Sequence, residues 1–72
     1  MSKLTIGNRL YIARKGLGIS QDKLGRLAGL SDVEILKIER DINNPKLRTL
    51  QKLAKAFKLK TWELVKYLET GR

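Results

Sequence analysis

The side chains in this sequence that can do chemistry are mostly charged, and most of those are cationic. Sixteen Lys and Arg stand against seven Asp and Glu, a formal charge of +9 in 72 residues. A field of that sign draws polyanions at long range, so nucleic acid is the first partner to consider. Basic surfaces also serve solubility, ribosomal RNA and anionic membranes, and charge alone does not choose among them. The absences narrow the field. With no His and no Cys, the chain lacks the commonest general base and metal ligand, and it has no thiolate or disulfide chemistry. Its carboxylates mostly have helix-start or pairing roles. An enzyme is therefore the least favoured class, and no cofactor, metal or small-molecule substrate is expected. Aromatic residues are few and not interleaved with the basic ones, which argues against a stacking platform for single strands. The start of the chain, MSKLTIGNRL, lacks the apolar stretch of a signal peptide, and no apolar run is long enough to span a membrane. A cytoplasmic location is expected.

The residues that position these charges are most informative from Gln21 to Arg40, QDKLGRLAGLSDVEILKIER. Small and apolar residues fall there where two steeply crossing helices need them, a helix-turn-helix. Leu24, Ala28, Leu30, Ile35 and Ile38 supply the packed side. Gly25 leaves room for the second helix to pass, and Gly29 supplies the left-handed conformation that ends the first. Ser31 and Glu34 have the spacing of a capping box. Around this unit, the spacing predicts a first helix from Ile6 to about Lys15 capped by Thr5, with Gly16 and Gly18 closing it. The second runs from after Ser20 to about Ala28, and the third from Asp32 to about Arg40. Asp41-Ile42-Asn43-Asn44-Pro45 has turn chemistry and the only proline. A fourth helix, from Lys46 or Leu47 to Phe57, repeats Leu47, Leu50, Leu53, Ala54 and Phe57 at helical spacing. Thr61 is expected to cap a short fifth helix through about Leu68. Its Trp62, Val65 and Leu68 offer more apolar surface than one small core needs, a candidate dimer seam. The expected architecture is all-α, five short helices in a single domain spanning 1–72.

From Ile6 to Leu64 the chain resembles the Cro/cI-type (XRE) helix-turn-helix family of phage and bacterial repressors. The likeness is carried in register by RKGLGISQ at Arg14 to Gln21, by LGRLAGLS through the turn, by IERDINNP at Ile38 to Pro45 and by LRTLQKLAKAF in the fourth helix. It implies a lambda-repressor-like DNA-binding domain, with the third helix in the major groove and the second across the backbone. Two copies would read an inverted repeat on double-stranded DNA as a homodimer. Charge logic alone would offer Arg14 to phosphate, but the resemblance pairs it with Glu39 as a structural ion pair. It places Gln21 against phosphate, together with Arg40, Lys46 and Arg48 around the loop after the third helix. Base reading would fall to Asp32, Val33, Glu34, Leu36 and Lys37.

Three accounts of that last group stand side by side. Asp32 or Glu34 accepts from cytosine, Val33 or Leu36 packs on a thymine methyl, and Lys37 donates to guanine. Alternatively, both acids serve only as cap and helix-start charge. In the third account the helix meets a protein through Val33, Leu36 and Ile42. Two further departures from the family concern the backbone. Asp41 and Lys58 stand where relatives usually or often have Gly, so replacing Asp41 by Gly is expected to stabilise the fold slightly. The leading function is a small Cro-like repressor. The alternative is an interaction module on the same scaffold, such as an antitoxin, anti-repressor or assembly subunit, with only non-specific DNA affinity.

Overall fold

The computed structural model describes residues 4–71. They form five helices: α1 (Ile6–Gly16), α2 (Gln21–Ala28), α3 (Asp32–Glu39), α4 (Leu47–Ala56) and α5 (Thr61–Thr70). Each of the first three starts at the hydroxyl the sequence offers. Thr5, Ser20 and Ser31 accept from the backbone N–H of Asn8, Lys23 and Glu34. Asn8 and Glu34 reach back to the N–H of Thr5 and Ser31, closing reciprocal boxes. The fifth helix differs from expectation. Thr61 is its first residue, Lys60 holds the cap position, and the Glu63 carboxylate accepts from the Lys60 N–H at 2.8 Å.

Leu10, Leu24, Ile35, Leu53, Leu64 and Leu68 are fully enclosed, one or two from every helix, so a single core ties all five together. Leu68 therefore leaves the candidate dimer seam. It points inward with Leu64, and only Trp62 of that trio is well exposed, with Val65 half-buried. The crossing of α2 and α3 depends on Gly25, where an added Cβ would stand 2.6 Å from the Leu30 carbonyl oxygen.

Asp41 overturns the expectation attached to it. Its φ of 58° is left-handed, and it ends α3 in a Schellman arrangement, with the Ile42 N–H reaching the Lys37 carbonyl at 2.9 Å. Its carboxylate, however, accepts from the Gly7 N–H at 3.0 Å and from the Thr5 hydroxyl at 2.6 Å. The first turn of α1 has no acidic residue of its own, and Asp41 supplies the missing negative charge from across the fold. Relief of the left-handed strain is worth about 1 kcal/mol, whereas losing two hydrogen bonds to a charged group costs roughly 2–4 kcal/mol. Asp41→Gly is thus expected to lower the urea midpoint, and Asp41→Asn to lower it less. A midpoint that rises for the Gly variant would show that the backbone term dominates.

Lys58 has the same φ of 58° and ends α4 in the same way, with Leu59 N–H on the Ala54 carbonyl at 2.8 Å. Its exposed side chain makes no compensating hydrogen bond or ion pair among the described residues. Lys58→Gly should raise stability by about 1 kcal/mol, read as a higher melting midpoint.

Candidate nucleic-acid interface

Three helices meet at the buried pair predicted between Arg14 and Glu39. Arg14 is 6% and Glu39 7% exposed. The Arg14 Nε donates to Glu39 Oε2 at 2.6 Å and its Nη2 to Oε1 at 3.1 Å, a two-pronged contact joining α1 to the end of α3. The remaining Nη1 donates to the Ile19 carbonyl at 2.8 Å, and the guanidinium lies 5.3 Å from the centre of the Tyr11 ring. The bond to Glu39 holds the Arg14 pKa above its ordinary value, against the opposing effect of burial. The pair is enclosed and satisfied, a structural clamp between helices.

Around this clamp the outer side of α3 presents Asp32, Val33 and Lys37, all exposed, with Leu36 half-buried beside them. Glu34 is exposed as well and also serves the helix start. Its Oε1 accepts from the Ser31 N–H at 3.0 Å, and it lines a groove of about 440 Å³ with Ile38, Ile42, Lys46 and Thr49. The Glu34 carboxyl is held below its ordinary pKa chiefly by the Ser31 N–H, then by the Ser31 hydroxyl, with a contribution from Lys52. A lowered carboxyl pKa means that this cap contributes fully at neutral pH and is lost as pH falls through the lowered value. Glu34 thus serves the helix start with one carboxylate oxygen while its side chain stays exposed. Asp32 uses Oδ1 to accept from the Val33 N–H at 2.9 Å, which leaves its other oxygen outward.

Arg40 ends α3, Lys46 precedes α4 and Arg48 sits in its first turn, all exposed. None of the three is in an ion pair among the described residues, where the pairs are Arg14 with Glu39 and Arg26 with Asp22. Gln21 opens α2 half-buried, and its Nε2 donates to Glu39 Oε1 at 3.1 Å. Sequence reasoning missed that bond and the Asp41 cap. The cap had a legible signal: a first turn without an acid, and an Asp where glycine is usual.

The sequence profile of the helix-turn-helix family matches residues 10–64, most of the chain. The chain belongs to this family. It is a Cro/cI-type (XRE) helix-turn-helix domain, a family of DNA-binding transcription regulators. The HTH-type transcriptional regulator PuuR of Escherichia coli K12 is 41% identical over 56 residues, which cover 78% of this chain and 30% of that protein. The chain thus spans about a third of the length of the curated relatives it matches, the same regulator of Shigella flexneri included. Among solved structures, the P22 c2 repressor in complex with synthetic operator 9T superposes with a TM-score of 0.81 at 33% identity, covering 97% of this chain and 100% of that one. The restriction-modification controller protein C.AhdI of Aeromonas hydrophila gives 0.76 at 36% identity, covering 82% and 89%. No helix of the described residues in the Cro/cI-type domain is long and apolar enough to cross a membrane.

Proposed function

We propose that this Cro/cI-type domain binds double-stranded DNA sequence-specifically, as a homodimer on an inverted repeat, and represses transcription by occluding a promoter. The observation that carries the reading is the placement of unpaired Arg40, Lys46 and Arg48 beside the exposed Asp32, Val33 and Lys37 of a rigidly clamped α3. Cations at the rim position the duplex through phosphates, while α3 supplies what reads base edges. Val33 suits a thymine methyl, Lys37 a guanine, and the outward oxygen of Asp32 a cytosine amino group. The similarity to a repressor seen with its operator supports this reading. The dimer seam is assigned to Trp62, 62% exposed, with Val65.

Selection from a randomised duplex pool at near-physiological salt tests the proposal. Enrichment of an inverted repeat is the expected result, and retention without enrichment would overturn it. Lys46→Ala and Arg48→Ala should each weaken binding uniformly across sequences and reduce the salt slope by about one unit. An unchanged slope, measured from binding titrations over a range of salt, would remove that residue from the phosphate set. A second reading, a protein partner for α3, is favoured by the exposure of Val33 at 51% and Ile42 at 61%. Unenriched retention together with a defined complex would support it.

A further inference from the structure

We propose that Glu39 is a positioning residue for DNA binding, because it holds the Gln21 amide in the orientation that meets phosphate. This rests on the DNA-binding reading above, with Gln21 added to its phosphate set as the family resemblance implies. The carboxylate lies at the end of α3 and takes three N–H bonds, two from Arg14 and one from the Gln21 Nε2. A carboxylate paired with Arg only accepts, so the amide must turn its nitrogen toward it. The second N–H of that nitrogen then points away from Glu39 in the plane of the amide. Arg14 also donates to the Ile19 carbonyl at 2.8 Å, fixing the segment that leads into α2. The side chain of Gln21 and the chain just before it are thus tied to one carboxylate on the recognition helix.

Two consequences favour anion binding at that second N–H. A free Gln side chain loses most of its rotamer freedom when it grips a ligand, whereas this one has been ordered on folding. Arg14 also cancels the charge of Glu39, so the carboxylate orients the donor without repelling a phosphate beside it. The same network transmits a displacement of α3 to the phosphate contact on α2, because both hang on Glu39.

The test is a double-mutant cycle on binding to a short random-sequence duplex, with Gln21→Ala, Glu39→Gln and the two combined. Each protein is measured below its own melting midpoint. Each single change is expected to weaken binding about fivefold, and the combination no more than either alone, because Glu39 acts through Gln21. Losses that multiply would overturn the inference and leave Glu39 a purely structural residue. A wild-type protein that does not bind the duplex would overturn the DNA-binding reading itself, and this inference with it.

If Glu39→Gln does not fold, the side-chain amide of Gln21 in the wild type decides by NMR. Two well-separated Nε2 proton resonances are expected, one protected from exchange in the free protein and the other shifting when duplex is added. A pair of resonances matching free glutamine would overturn the proposal.

Discussion

Glu39→Ala is expected to destabilise the protein by about 3–5 kcal/mol, the cost of removing one partner from a buried ion pair. A chain of this length has roughly 4–11 kcal/mol to lose, so the change removes a large share of the total and should lower the melting midpoint steeply. The size follows from what the truncation leaves behind. Arg14, 6% exposed, would keep only the Ile19 carbonyl and the face of Tyr11, and Gln21 would lose its acceptor. Circular-dichroism melts should show the loss without any DNA present. A midpoint within a few degrees of wild type would mean that water replaces the carboxylate and that the pair is worth little. The combined change Arg14→Met with Glu39→Leu removes both charges at similar volume. It should therefore recover most of the stability, while DNA binding stays weak because Gln21 remains unclamped.

That pair was legible before any geometry because the family register places an Arg and a Glu opposite one another. The starts of α1 to α3 were legible for a more local reason. Thr5, Ser20 and Ser31 are hydroxyls standing one residue before apolar periodicity begins, and each accepts a first-turn N–H. At α5, which starts without its own hydroxyl cap, the reading slipped. Thr61 looked like a cap by composition, yet Lys60 occupies the position and Glu63 alone closes the turn. The apolar surplus of α5 was misread at Leu68 for a related reason. Period alone gives a face, and only the packing of α5 on α1 and α4 shows which apolar residues that face encloses.

The site was less legible than the fold. Exposure on α3 separates Val33 and Lys37 from Ile35 and Ile38, as helical spacing requires. The assignment of acids does not follow from spacing, because Asp32 and Glu34 serve equally as caps and as acceptors for bases. Each acid gives one oxygen to a backbone N–H at the helix start, Glu34 to Ser31 and Asp32 to Val33, and that contact is compatible with either use of the other oxygen. Asp41 shows the limit most clearly. Its partners Thr5 and Gly7 are 36 and 34 residues away, so the two hints, a first turn without an acid and an Asp in a glycine place, could be joined only once the fold brought them together.

The same corner of the fold carries the second large effect, at Gly7. A Cβ added there would stand 2.5 Å from the carbonyl oxygens of both Ile38 and Glu39, backbone atoms with no rotamer to yield. Gly7→Ala must push α1 away from the end of α3, and overpacking of this kind costs about 1–3 kcal/mol and occasionally more. Alanine is the better helix former by about 1 kcal/mol, which offsets only part of it. The displacement also lengthens the bond from the Gly7 N–H to Asp41, now 3.0 Å, and strains the Arg14 contact two turns along the same helix. A net loss of up to about 2 kcal/mol is therefore expected. The internal control is Gly16→Ala on the same helix, where nothing lies within 4 Å of the new methyl. There the helix term stands alone and the melting midpoint should rise. Equal responses at the two positions would mean that α1 does not approach the α3 carbonyls as described, whereas opposite signs locate the close contact at Gly7. Since α3 carries the proposed base-reading residues, Gly7→Ala should also weaken binding to the selected inverted repeat more than binding to random duplex. Phosphate contacts tolerate a small tilt of the helix, but hydrogen bonds to base edges do not.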